Sequence, residues 1–112
     1  MEGSILARKD RQVLDNGMSL RLLSAFEVLQ ARREAGELAR EDRERALCSN
    51  ACLLARALEH EGKPVFDSGL AVLEGLTVAE IAALCEQWRD FDRKENPALN
   101  LGEQELENVK KN

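Results

Sequence analysis

A chain of 112 residues is long enough for one domain and too short for two. Hydrophobic residues make up 44% of it and charged residues 33%, which excludes wholesale disorder and is typical of a helical protein with a polar surface. The formal net charge of -5 argues against nonspecific nucleic-acid binding. No run of apolar residues approaches the roughly 20 that a membrane-spanning helix needs. We therefore expect neither nucleic acid nor membrane among its partners.

Two further features predict a cytoplasmic location. Residues 1–8 contain no apolar core of the length that a signal peptide needs. The three cysteines are odd in number and lie within helical patterns, which does not suit the disulfide framework of a secreted domain.

The chain before residue 24 is predicted to be extended. Asp15-Asn16-Gly17 is a turn signal, because Asn and Gly tolerate positive φ. Residues 12–14 and 18–22 on either side have strand character, so we expect a short N-terminal β-hairpin. Since an isolated hairpin is marginal in water, Met18, Leu20 and Leu22 should pack on the helices.

Two capping boxes mark helix starts. In Ser24–Glu27 and in Thr77–Glu80, a hydroxyl can accept from the N–H three residues on, and a glutamate can reach back to the N–H of the capping residue. Each box also has a hydrophobic pair that can set the angle of entry into the helix: Leu23 with Val28, and Leu76 with Ile81.

The first box opens a helix predicted from Ala25 to about Arg40. Its apolar stripe is Val28, Ala31, Ala35 and Leu38, widened by Phe26 and Leu29. A second stripe follows: Leu47, Ala51, Leu54 and Leu58. This stripe lies about half a turn from the forward projection of the first, so we expect a break between Ala39 and Arg45.

The second helix is predicted to end at His60–Pro64, where a glycine and a proline stop it. Residues 64–66 form a short extended piece. Asp67 or Ser68 then caps a helix of about two turns from residue 69 to 74, with Leu70 and Leu73 facing inward.

The second box opens the last helix, which Asn96-Pro97 closes. Its apolar side is predicted to be Val78, Ile81, Leu84, Cys85, Trp88 and Phe91. The expected fold is mainly α: a small single-domain helical bundle over residues 1–97, with the hairpin at its start and a mobile polar tail over residues 98–112.

Several residues have the chemistry of a site, and each has a structural interpretation that we favour. Cys48, Cys52, His60 and Cys85 are ligand types of zinc, yet no Cys-x-x-Cys pair is present and the thiols lie in apolar stripes. His60 is expected on the surface, in the last turn of a helix.

Asp90 and Asp92 could be paired carboxylates, but residues two apart on a helix point in different directions. Trp88 and Phe91 could stack on a ligand, although a core position suits them better. The arginines at positions 32, 33, 40, 43 and 45 stand among acidic residues, which favours a solvated face over a site for an anionic partner. We therefore predict no catalytic, cofactor-binding or metal-binding residues, and no enzyme.

Three segments resemble the small tail assembly chaperones of long-tailed bacteriophages and prophages: Leu23–Glu27, Gly62–Phe66 and Leu76–Trp88. Together with the extended segment before them and the Asn96-Pro97 close after them, they span about residues 18–97. The resemblance implies a protein of the bacterial cytoplasm without enzymatic activity, which holds the tape measure protein in solution and helps tail tube subunits assemble around it. It implies tape measure and tail tube proteins as partners. The partner-binding residues and self-association stay open, and the alternative is a helical adaptor or regulatory module unrelated to phage tails.

Overall fold

The computed structural model describes residues 10–95, which form four β-strands and four α-helices. The strands are β1 (Arg11–Val13), β2 (Met18–Arg21), β3 (Leu58–His60) and β4 (Lys63–Pro64). The helices are α1 (Ala25–Leu38), α2 (Arg45–Ala57), α3 (Gly69–Gly75) and α4 (Val78–Glu95). The mainly helical class is therefore confirmed. The predicted tail at 98–112 and the predicted helix end at Asn96-Pro97 lie outside the described residues.

The strands make one antiparallel sheet in the order β1-β2-β3-β4. The predicted hairpin is its first half, with Gly17 at a φ of 83° in the turn. The predicted two-stranded hairpin underestimated the size of the sheet, because β3 pairs with β2 and places Leu58 opposite Leu20. The two-residue turn after β3 has positive φ at both Glu61 and Gly62, which is the geometry of a tight hairpin.

The predicted end of the second helix was also wrong. The helix stops at Ala57, and the next three residues form β3, so His60 lies on an exposed strand position and not in a helical turn. The predicted break before this helix is confirmed: α1 ends at Leu38, and a short 3-10 helix, Asp42–Glu44, precedes α2.

Both capping boxes form as predicted. Ser24 Oγ accepts from the Glu27 N–H at 3.1 Å, and Glu27 Oε1 accepts from the Ser24 N–H at 2.9 Å. Thr77 and Glu80 make the same reciprocal pair at 3.1 and 2.8 Å. These bonds satisfy N–H groups that a helix start leaves without a partner, which is why α1 and α4 begin where the boxes place them.

Helix α2 is the centre of the core and packs against α1, α3 and α4. Small residues of α1 and α2 form one buried cluster: Ala31, Ala35, Cys48 and Cys52. Larger side chains from α2, α3, α4 and the sheet form the other, which includes Leu20, Leu54, Leu58, Val72, Ile81, Cys85 and Trp88.

Four apolar residues predicted to face the core are exposed instead. Phe26 is 60% exposed, Leu29 47%, Leu70 49% and Val78 65%. Each lies at the border of its helix's apolar stripe, and helical periodicity cannot say whether a neighbouring element reaches far enough to cover that border. Two of these residues, Phe26 and Leu29, belong to the same side of α1.

A charged network ties the sheet to α1. Glu59 of β3 is only 5% exposed and accepts from Arg11 Nε at 2.7 Å, with Arg21 Nε 3.5 Å away. Arg21 also donates from two nitrogens to the two carboxylate oxygens of Glu27, at 3.2 and 2.5 Å. A buried carboxylate is costly unless it is paired, so the two arginines are what makes the buried position of Glu59 tolerable.

A glycine permits the close approach of α3 to α2. A Cβ built on Gly69 would lie 2.4 Å from Cys52 Sγ and 3.1 Å from Glu34 Oε2. The Gly69 N–H donates to Glu34 at 2.7 Å, and Arg56 Nη1 donates to the same carboxylate at 2.7 Å. Burial acts to raise the pKa of Glu34, but Arg56 and the Gly69 N–H outweigh it and lower that pKa.

We predict opposite effects of alanine at two glycines. Gly69→Ala should destabilise the protein by about 1–3 kcal/mol, since the new methyl group overlaps Cys52. Gly36→Ala should stabilise it by about 0.5–1 kcal/mol, because Gly36 is inside α1 and, apart from its chain neighbours and the backbone of its own helix, no atom lies within 4 Å of the added Cβ. Denaturant unfolding of both variants measures the difference, and equal midpoints would contradict the close approach at Gly69.

The charge of Glu27 should contribute to stability in a pH-dependent way. Its hydrogen bonds with Arg21 lower the pKa of Glu27 to about 2, below the value of about 4.3 in an unfolded chain. A depressed carboxyl pKa stabilises the fold above about pH 5, and this stabilisation is lost as the pH falls from 5 towards 2.

Glu27→Gln removes the charge and keeps a side chain that suits the capping box. We expect it to lower the free energy of unfolding by about 1–2 kcal/mol at pH 7, after allowance for solvent screening of the pair, and by much less near pH 2. Glu37→Gln, at an exposed position of the same helix, is the control. A deficit that is the same at pH 7 and pH 2 would show that the ion pair with Arg21 is not its cause.

Candidate functional site

The structure separates the four residues that have the chemistry of zinc ligands. Cys48 and Cys52 lie in the small cluster between α1 and α2, Cys85 lies in the larger cluster, and His60 is exposed on β3. Within residues 10–95, no three His, Cys, Asp or Glu side chains come close enough together to hold a metal ion. Burial raises the pKa of Cys52 to about 12 and that of Cys85 to about 11, so these thiols are protonated at neutral pH.

The two aspartates near the end of α4 serve different surfaces. Asp90 pairs with Arg93 and borders a small depression of about 330 Å3, while Asp92 borders a larger groove on another side of the helix. Phe91 is buried at 4% exposure. The two carboxylates are therefore not placed to act on one substrate.

The larger groove lies over α2, between α1 and α4, and has a volume of about 690 Å3. Two other depressions, of about 330 and 300 Å3, are smaller and are bordered mainly by charged and polar groups. Half of the twelve residues that line the larger groove are apolar: Ala25, Val28, Leu29, Ala31, Leu53 and Trp88. Ala25, Val28, Leu29 and Ala31 belong to the α1 wall, Leu53 to the floor and Trp88 to the α4 wall.

The groove is open because its two walls pack on α2 and hardly on each other. On α1, the small residues Ala31 and Ala35 let the helix lie close to Cys48 and Cys52. On the other side, Arg89 donates to Asn50 Oδ1 at 2.9 Å and Cys85 Sγ donates to the Asn50 carbonyl at 3.4 Å. These contacts hold α4 on a separate side of α2.

Trp88 links the groove to the sheet. It is 7% exposed, borders the groove, and donates from Nε1 to the Arg21 carbonyl at 2.9 Å. The expectation that Trp88 is a core residue is therefore confirmed. A buried indole whose N–H is satisfied is a rigid part of the wall.

The exposed apolar surface continues beyond the groove along α1. Phe26 precedes Leu29 by three residues, so the two lie next to each other on the helix surface. Both are more than 45% exposed, at 60% and 47%. Exposed aromatic and aliphatic side chains beside an apolar groove are typical of surfaces that bind proteins.

Charged and polar groups form the rest of the groove lining: Arg32, Ser49, Asn50, Arg89, Asp92 and Arg93. Three of these six are arginines, on both walls, against one aspartate. Because Arg93 is paired with Asp90, the local excess of positive charge in a chain of formal net charge -5 is due to Arg32 and Arg89. The groove can thus bind an apolar stripe and contact charges on either side of it.

The sequence did not identify this groove. The signal that could have done so is the width of the apolar surface of α1, which includes Phe26 and Leu29 as well as the buried stripe. When the apolar stripe of a helix is too wide to be covered by one neighbouring helix, its width indicates a second contact surface. Arg32 was predicted to belong to a solvated face; it is exposed, and it also lies at the edge of the groove.

The chain matches no family model, and no curated protein or solved structure matches it. Among residues 10–95, no helix combines the length and the apolar composition needed to cross a bilayer. Functional inference therefore depends on the geometry of the groove.

Substitutions at Trp88 should separate its packing from its hydrogen bond. Trp88→Ala should lower the free energy of unfolding by about 3–5 kcal/mol, and Trp88→Phe by about 1–3 kcal/mol, because phenylalanine fills part of the volume and leaves the Arg21 carbonyl without its donor. Helical circular dichroism in urea measures both variants. Equal stability of the Trp88→Phe variant and the wild type would show that the hydrogen bond contributes nothing.

Proposed function

We propose that this protein is a non-enzymatic tail assembly chaperone, which holds the tape measure protein of a phage or prophage in solution and assists assembly of the tail tube. The observation that carries the helix-binding part of the proposal is the apolar groove between α1 and α4, with the exposed Phe26 beside it. The assignment to phage tails comes from the resemblance of residues 18–97 to tail assembly chaperones. No catalytic residues enter this proposal.

The groove has the form of a receptor for an amphipathic helix. Its α1 wall from Ala25 to Arg32 covers about two helical turns, at 1.5 Å per residue. Helix-in-groove binding uses apolar side chains at intervals of three and four residues, and two turns of wall offer room for two or three of them. A long helical protein such as a tape measure protein exposes such stripes before it is enclosed in the tube.

The groove would serve equally well in a helical adaptor unrelated to phage tails. The identity of the bound helix separates these two functions. A chaperone covers apolar stripes of a protein that is insoluble alone, whereas an adaptor binds a segment of a partner that is soluble by itself.

The proposal predicts that co-expression with a tape measure protein keeps that protein in the soluble fraction. Leu29→Glu should abolish this effect, because it places a charge on the apolar wall of the groove. Leu70→Glu is the matched control: Leu70 is exposed to a similar degree, 49% against 47%, and lies on α3, away from the groove.

Both substitutions are at half-exposed positions, so each should change the free energy of unfolding by less than about 1 kcal/mol. Soluble tape measure protein is then assayed with the wild type and with each variant at equal expression. Equal insolubility with and without the wild-type chain would refute the chaperone function. Equal loss of solubility in both variants would show that the groove is not the site.

A further inference from the structure

We infer that the groove selects an amphipathic helix whose apolar stripe is flanked by acidic side chains. This inference rests on the proposed helix-binding function and adds the charge of the partner. It follows from arginines on opposite walls of the groove: Arg32 on α1 and Arg89 on α4.

The two arginines are placed to contact a helix on both sides of its apolar stripe. Arg32 is exposed at the edge of the α1 wall, one helical turn beyond Val28 and Leu29. Arg89 follows Trp88 on the α4 wall, and its guanidinium is held by a hydrogen bond to Asn50 of α2. A guanidinium has five N–H donors, so this bond leaves others that can donate to a carboxylate.

The charge of the groove is opposite to that of the whole chain. The formal net charge is -5, and a long-range field of that sign repels acidic segments. At physiological salt the screening length is about 8 Å, so contacts inside the groove outweigh that field. Selection thus depends on the two arginines locally, and it distinguishes an acidic helix from a basic one of equal apolar content.

Two synthetic peptides test the inference on the full-length protein. Both are 18-residue helices with one leucine stripe and no tryptophan, one flanked by glutamates and the other by lysines. Trp88 is the only tryptophan of the chain and borders the groove, so its fluorescence reports occupancy. We expect the glutamate peptide to bind about fivefold more tightly at physiological salt, where the long-range field is screened, with the preference decreasing as more salt weakens the ion pairs in the groove.

A matched pair of variants locates the charge effect. Arg32→Glu should weaken binding of the glutamate peptide about tenfold and strengthen binding of the lysine peptide. Arg33→Glu makes the same change of net charge on the same helix, at an exposed residue that does not line the groove, and should change neither affinity by more than about twofold. If the Arg32→Glu variant fails to fold, the affinities of the two peptides for the wild-type protein still test the inference.

Equal affinity of the two peptides, or equal effects of the two variants, would overturn the inference. So would a dimer that Leu29→Glu dissociates, since the groove would then hold a second copy of this chain. If co-expression rescues a tape measure protein while the peptides bind equally, the inference is wrong and the function stands. If the glutamate peptide is preferred and co-expression fails, the inference stands and the function is wrong.

Discussion

Arg21 holds both walls of the groove to the same point of the sheet. Its guanidinium binds Glu27 in the first turn of α1, and its backbone carbonyl accepts the Trp88 N–H from α4. Helices α1 and α4 hardly touch each other. Their separation therefore depends on residues that contact both helices, and Arg21 is such a residue. The buried Glu59 lies on the other side of the same guanidinium. A buried carboxylate needs its cations in place, so Glu59 limits where Arg21 can lie, and Arg21 in turn positions both helices.

The size of the side chains on α2 explains why the groove is open over one side of this helix. Towards α1 and α3 the contacts of α2 are made by Cys48 and Cys52, and Gly69 of α3 lies against Cys52, so the helices approach closely. Towards α4 and the sheet they are made by larger aliphatic residues such as Leu54 and Leu58. With 3.6 residues per turn, Ser49 and Leu53 lie between these two directions, one turn apart. Both are only partly buried, and they form part of the floor of the groove.

Local signals in the sequence predicted helix starts better than they predicted burial. The two capping boxes depend on atoms three residues apart, so α1 and α4 begin where the sequence places them. Strand β3 was missed because Leu58 continues the apolar stripe of α2, and its pairing with β2 joins residues about 40 positions apart. The exposure of Leu29 and Val78 was missed for a related reason: a stripe shows which side of a helix is apolar, and the packing of other elements decides how much of it is covered. The groove also depends on how other elements pack, and so does the burial of Glu59. No local sequence pattern indicates either of them.

The groove combines two features that act on different aspects of binding. Its apolar wall and floor favour any helix with an exposed stripe, which is the property a chaperone needs when its client offers many similar stripes. Its arginines make the binding free energy of an acidic helix more favourable than that of a basic helix with equal apolar content. Such a difference in binding free energy is what selectivity between partners means. The acidic remainder of the surface opposes this preference at long range, and the same like charge repels other copies of this chain. A site of this kind binds through shape and charge, and the three thiols lie in the core, outside the groove lining.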